Sequence, residues 1–426
     1  MQLIKGQTLE FSGDPFEGGL GVATHRADGG VVVDAGKIIA TGETADLAAA
    51  HPHADVIDHG DKLILPGLVD AHAHYPQTAI IASWGKRLID WLNSYTFPEE
   101  TRLGDKGYAN TIARRYLDLI VAHGTTSVCT FATIHEGSVD AIFEAARDRN
   151  MAVAAGKVAM DRNAPRTLRD DVQSSYDDSK RLIERWHGQG RATYAIAPRF
   201  SPTSTPEQLQ AMGTLWAEHP DCLMQTHLSE QKEEVAWVEE LYPDARDYLD
   251  TYEAAGLIGP GALFGHSIYL TDREKARLLE TGSSVVHCPT SNTFIGSGLF
   301  DMDGLKSMGL SVGLATDTGG GSSFSMLRTM AAAYEIAQLR GRPLHAAELI
   351  WLATEGSARA MRMEDRIGTL AAGSDADLVV LDLASTPAIA QRHARANDIW
   401  EALFPTIMMG DDRAVDAVYV AGQSVP

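Results

Sequence analysis

The residues Leu65-Pro66-Gly67-Leu68-Val69-Asp70-Ala71-His72-Ala73-His74 end an apolar run in two histidines one residue apart. In a β-strand the side chains at i and i+2 share a face, so both imidazoles can aim at one point, as a metal site requires. Leu63, Ile64, Leu65, Leu68 and Val69 are apolar with little alternation, the pattern of a strand buried on both faces. Asp70 is placed to orient a ligand histidine through its carboxylate. A comparison comes from the same chain. His51-Pro52-His53 has the same spacing, but a proline interrupts it and Ala54 and Asp55 follow, so it reads as a surface loop.

Other apolar runs end in chemistry-bearing residues as well. Leu223-Met224-Gln225-Thr226 leads to His227 and then Leu228-Ser229-Glu230; Ala262-Leu263-Phe264-Gly265 leads to His266; Ser311 to Thr316 leads to Asp317 and a run of three glycines. Singly, each has a plainer reading: a hydrogen-bonded strand-end histidine, an Asp that caps a turn, a Glu favoured by a helix N-terminus. Together they supply the convergent ligands one metal needs. Nitrogen and carboxylate ligands without thiolates suit Zn²⁺, with Fe²⁺ as the alternative. A metal so held lowers the pKa of a bound water towards ~7 and supplies hydroxide at neutral pH. Glu230 is the candidate proton shuttle. Asp317 is a candidate both for binding metal and for holding the nucleophile, and His266 either ligates or donates a hydrogen bond to the reacting oxygen. The fourth strand ends in Pro198-Arg199-Phe200, with no lysine to bridge two ions, so one metal per subunit is expected; Lys157, on the third strand, reads as a packing or salt-bridge lysine.

Positioning such residues requires strands whose ends converge. From Leu63 the rhythm is strand, loop, helix. Strands are expected near 126–131, 152–156, 193–197, 223–227, 262–266, 284–287 and 311–317, with helices at about 138–148, near 179–186 and after Thr205-Pro206-Glu207. With the strand that carries His72 and His74, this makes eight β/α units in about 300 residues, a (β/α)8 TIM-like barrel with its active site at the strand C-termini. Before residue 66 and after 365 the texture is short β-prone pieces, such as Gly30-Val31-Val32-Val33-Asp34 and Ala376-Asp377-Leu378-Val379-Val380-Leu381. The expected division is a β-sandwich formed by both chain termini (1–65 and 366–426) with the barrel (66–365) inserted in it. The net charge of −21 argues against a phosphate-binding surface, so nucleic acid is not an expected partner, whereas a neutral small molecule is. No apolar run approaches ~18 residues and the N-terminus has no signal-peptide core, so no membrane association is expected. Cys129, Cys222 and Cys288 are scattered and odd in number, which fits a reducing cytoplasm.

The constellation resembles the amidohydrolase superfamily, over nearly the whole chain. The superfamily-level motifs are Pro66-Gly67-Leu68-Val69-Asp70-x-His72-x-His74, His227-Leu228-Ser229-Glu230, Gly265-His266 and Thr316-Asp317. Narrower segments are similar to its guanine-deaminating members: His74-Tyr75-Pro76-Gln77, the run Ile89 to Glu99, Phe131 to His135, Gly156 to Asp161, Ala197 to Pro202 and His287-Cys288-Pro289-Thr290-Ser291-Asn292. Ala71 and Ala73 depart from the bulkier residues common there. The resemblance implies a zinc held by His72, His74, His227 and Asp317, with His227 and His266 also beside the substrate and Glu230 as general acid and base. It also implies recognition of a purine by Gln77, Arg199 and Phe200, hydrolysis of guanine to xanthine and ammonia, and a homodimer. Arg199 can donate to a carbonyl oxygen, Gln77 can donate or accept, and Phe200 offers a ring face or edge. Related reactions on adenine-, cytosine- or triazine-like rings, or a non-catalytic scaffold on the same fold, are the alternatives. Ser83 to Phe97, with Trp84, Trp91, Tyr95 and Phe97, reads as a cover for the substrate or as ordinary helix packing.

Overall fold

The structure, a computed structural model, describes residues 1–85 and 87–425. Its strands, in chain order, are β1 (Gln2–Phe11), β2 (Ala23–Asp34), β3 (Lys37–Glu43), β4 (Asp55–Pro66), β5 (Leu68–His74), β6 (Thr125–Phe131), β7 (Ala152–Gly156) and β8 (Val158–Ala159). They continue as β9 (Ala192–Pro198), β10 (Leu223–Leu228), β11 (Ala262–His266), β12 (Ser284–His287), β13 (Val312–Leu314), β14 (Leu378–Leu381), β15 (Val415–Val420) and β16 (Gln423–Val425).

Both flanks enter one seven-stranded sheet, in the order β16-β15-β14-β4-β1-β2-β3. The contribution of the C-terminal flank is fixed by register: Leu378, Val379, Val380 and Leu381 of β14 face Pro66, Leu65, Ile64 and Leu63 of β4. Alternation sorts the side chains, so that Ile4, Val31, Val33 and Ile64 join Leu378 and Val380 in one cluster, and Leu3 and Val32 join Leu47 in another.

The second sheet runs β13-β12-β11-β10-β9-β7-β6-β5, in sequence order, with β8 paired to β9. The pairings of β9 to β13 are parallel, and crossover helices connect the strands as right-handed β/α units require. Two bonds link the end of β13 to β5: Asp317 N–H donates to His72 O (3.0 Å) and His74 N–H to Thr318 O (2.7 Å). The ring is thereby nearly closed, the (β/α)8 arrangement expected. The helices begin where local chemistry starts them. Thr205 accepts from Gln208 N–H ahead of Pro206–Glu218, with proline in the first turn. Asp171 with Ser174 and Thr271 with Glu274 form capping boxes ahead of Val172–Trp186 and Asp272–Thr281.

The eighth strand is shorter than expected, ending at Leu314 rather than Asp317, and a second expectation changes. The apolar run from Leu63 to Val69 is not a single strand: Leu63 to Pro66 belong to β4 in the terminal sheet and Leu68 opens β5 in the barrel. Gly67 is the joint, donating its N–H to Asp377 O (2.8 Å). A Cβ there would lie 2.1 Å from Thr126 Oγ1, so only glycine lets the chain change sheets at this point. Residue contacts divide the chain into a unit of 1–70, 118–127 and 324–426 and a unit of 71–117 and 128–323. All nine candidate site residues lie in the second. No helix among the described residues is long and apolar enough to cross a membrane.

Candidate metal centre and binding cleft

His72 and His74 end β5, His227 is the penultimate residue of β10, and Asp317 follows β13 by three residues. Their side chains converge. His74 Nε2 is 3.0 Å from His227 Nε2, and Asp317 Oδ1 is 3.6 Å from Nε2 of both His72 and His74. A tetrahedral ion with bonds of about 2.0–2.1 Å needs ligand atoms about 3.3 Å apart, and the observed separations bracket that value. Burial drives all three imidazoles well below the ordinary histidine range, and their neighbours and Arg199 push the same way. They are therefore neutral and have lone pairs to give. His227 Nδ1 hydrogen-bonds Arg199 O at 2.7 Å, which puts the ring proton there and leaves Nε2 as the ligand atom. These residues fit a metal ion.

His266 lies beside this group. Its Nδ1 meets Asn292 Oδ1 at 2.9 Å, and its Nε2 faces Glu230 Oε2 at 3.6 Å and Asp317 Oδ2 at 3.7 Å. The Glu230 carboxyl is pushed up by burial, while the Ser297 hydroxyl, donating to Oε1 at 2.9 Å, pulls it the other way. Its backbone is pinned by Glu234, whose Oε2 accepts from Glu230 N–H (2.8 Å) and Gln231 N–H (3.0 Å).

Four successive or neighbouring strand-end residues other than glycine have left-handed backbones: Ser229 (φ 50°), His266 (φ 66°), Ser267 (φ 48°) and Asp317 (φ 46°). Such strain is tolerated where surrounding bonds over-determine it, and it aims side chains that regular strands would not.

A cleft opens above the histidines. His74, His227, His266, Glu230 and Asp317 line it together with Gln77, Arg199, Phe200, Leu88, Trp91 and Leu92. Phe131 stacks on His74 (centroids 4.7 Å apart). Leu88–Trp91 is one helical turn followed by a π-turn at Leu92–Thr96, a distortion frequent at functional sites. Within the expected cover segment Trp91 and Leu92 wall the cleft, Trp84 is 73% exposed, and Lys86 lies outside the described residues.

Sequence reasoning did not single out Glu100, Asn292 or Ser297. Glu100 follows Pro98-Glu99 and looks like ordinary first-turn acidity; Ser297 meets Glu230 from 67 residues away and leaves no local signal. Asn292 lay within a family-like segment without a role. Glu234 was missed too, although its place three residues after Gln231 is the spacing of a capping box. Lys157 is buried against Asp170 and Asp178, the salt-bridge lysine expected, and His53 is exposed. Another grouping, His187, Asp221 and Cys222, is tied up in bonds within the protein. Tyr194 N–H donates to His187 Nδ1, so the ring proton sits on Nε2, facing Asp221.

A family model described as "Amidohydrolase family" matches residues 63–425, and one described as "Imidazolonepropionase-like composite domain, bacteria" matches 29–54. Guanine deaminase of Escherichia coli strain K12 is 44% identical over 93% of this chain and 91% of its own length. A probable guanine deaminase of Deinococcus radiodurans is 38% identical over 99% and 98%. The solved structure of the E. coli guanine deaminase superposes with a TM-score of 0.98 at 41% identity, covering 100% of this chain and 99% of that one.

Proposed function

The chain belongs to the amidohydrolase family, and from that membership we propose that it deaminates guanine by hydrolysis, giving xanthine and ammonia. The observation that carries this reading is one cleft in which a base-reading wall, Gln77, Arg199 and Phe200, faces Glu230 and the histidine cluster. The 44% identity to a guanine deaminase supports the same substrate.

The metal is zinc, held by His72, His74, His227 and Asp317. When bound, it supplies a Lewis acid that makes a water nucleophilic at neutral pH. The residues do the rest. Asp317, through Oδ2, and His266 fix the attacking oxygen by hydrogen bonds. Glu230 takes a proton from that oxygen and delivers it to the ring nitrogen beside C2 as the C2–O bond forms. A second proton then passes to the amino nitrogen, the C2–N bond breaks, and ammonia leaves. Arg199 donates to O6, Gln77 holds a second polar position, and Phe200, Trp91 and Leu92 shield the ring from water. The three cysteines, all buried, support a reducing cytoplasmic setting.

Purified protein should convert guanine to equal amounts of xanthine and ammonia, lose activity to a chelator and regain it with zinc. A fully metallated sample that makes no xanthine overturns the substrate. Glu230→Gln should keep its metal and lose about 10²-fold or more in kcat; near-normal turnover overturns its role.

A further inference from the structure

We propose that Glu100 sets substrate specificity by fixing the hydrogen-bonding polarity of the base-reading wall, with Gln77 as acceptor and Arg199 as donor. The inference rests on the guanine reading above and deepens it. Glu100 is fully buried, and its carboxylate meets both residues. Oε1 accepts from Gln77 Nε2 at 3.0 Å and from Arg199 Nη1 at 3.0 Å, and Oε2 accepts from Nη1 at 2.8 Å.

A carboxylate paired with a guanidinium only accepts, so it meets Gln77 only through the amide NH₂. The ambiguity of a lone glutamine, whose two ends are nearly isosteric, is removed. The carbonyl oxygen must turn away from Glu100, and it lies beside Gly319, where an added Cβ would stand 2.4 Å from it; Gln77 and the neighbouring Gly320 both line the cleft. No bond to that oxygen is recorded among the described residues. Arg199, by contrast, spends only Nη1 on Glu100 and lies over the Phe97 ring (5.8 Å); no bond from its Nε or Nη2 is recorded among the described residues, and the residue lines the cleft.

The wall therefore presents one acceptor and one set of donors in a fixed order. That order complements a ring edge with an N–H beside a carbonyl, as in guanine. It opposes an edge with a bare ring nitrogen beside an amino group, as in 2,6-diaminopurine, which carries the same leaving group at C2. Mismatched edges leave buried polar groups unpaired, which is where discrimination of 10²-fold and more arises.

The test compares kcat/KM for guanine and 2,6-diaminopurine in wild type, Glu100→Gln, Glu100→Asp, Gln77→Ala and the double variant Gln77→Ala/Glu100→Gln. A carboxamide at 100 can donate to Gln77 as well as accept, so Glu100→Gln should lower the guanine-to-diaminopurine ratio at least tenfold. Glu100→Asp, still an acceptor, should restore part of it, and the ratio should not fall further when Glu100→Gln is added to Gln77→Ala. Equal losses on both substrates, or an unchanged ratio, overturn the proposal. A second measurement needs no variant: the wild-type protein should bind a 6-oxopurine lacking the 2-amino group at least tenfold more tightly than the 6-aminopurine, by calorimetric titration. Equal binding overturns the proposal even if the variants do not fold. If wild type makes no xanthine, the functional reading fails instead, and the two binding constants still judge the polarity.

Discussion

His287 ends β12 with 1% of its surface exposed, its ring stacked on Phe300 at 4.4 Å. Burial, with a smaller push from His266, lowers its pKa from 6.5 to about 3. The folded chain therefore keeps this imidazole neutral where an unfolded chain would protonate it. Its contribution to stability is whole above pH 6.5 and is lost progressively as the pH falls from 6.5 towards 3. The slope is about 1.4 kcal/mol per pH unit for one proton. In urea titrations from about pH 7 to about pH 5, wild type should lose ~2 kcal/mol relative to His287→Gln. Parallel curves would show that the ring is protonated in place. His72, His74, His227, Glu230, His266 and Asp317 stood out in the sequence because each ends, or closely follows, an apolar strand, whereas Gln77, Arg199 and Phe200 were singled out through the family resemblance. Glu100 and Ser297 were not, because each acts on a residue far along the chain: Glu100 on Arg199, 99 positions away, and Ser297 on Glu230, 67 positions away.

At the scale of elements, the turn after β13 decides where Asp317 points. Asp317 O accepts from Gly319 N–H (3.0 Å) and Gly321 N–H (2.6 Å), while its own N–H is held by His72 O. A Cβ at Gly321 would stand 1.9 Å from the backbone oxygen of Thr316, which cannot swing aside. Gly321→Ala must therefore shift the turn and with it one proposed ligand. The expected result is metal affinity weakened about tenfold or more in competition with a chelator. The control, Gly137→Ala on helix Glu136–Arg149, has nothing within 4 Å of the added carbon and should leave affinity unchanged. Affinity unaltered in both would remove the turn from the metal site. The strand itself was legible from its apolar run, and β7, β11 and β12 fall at 152–156, 262–266 and 284–287 as expected. The left-handed backbone of Asp317 and the sheet change at Gly67 were not legible. Both are set by close approaches, Thr316 O to Gly321 and Thr126 to Gly67, that no local pattern encodes.

For the whole molecule, 57 acidic side chains against 36 lysines and arginines give a net charge of −21. A field of that sign acts on charged ligands and hardly at all on neutral ones. Among the described residues that line the cleft, Arg199 alone is a lysine or arginine, and Glu100 holds it as an ion pair, so those residues offer no unpaired cation to a phosphate. A free base should therefore enter unsteered, whereas a guanine nucleotide should be repelled at long range and refused at short range. Screening separates the two effects, since the Debye length shrinks from about 30 Å at 0.01 M salt to about 3 Å at 1 M. Across that range kcat/KM for guanine should change by less than about twofold. A guanine nucleotide should remain a poor substrate at every salt concentration, because screening removes the long-range repulsion but supplies no phosphate partner in the cleft. A kcat/KM for guanine that falls steeply with salt would mean that an attractive field steers the base, and the surface charge would then have a role in capture as well as exclusion.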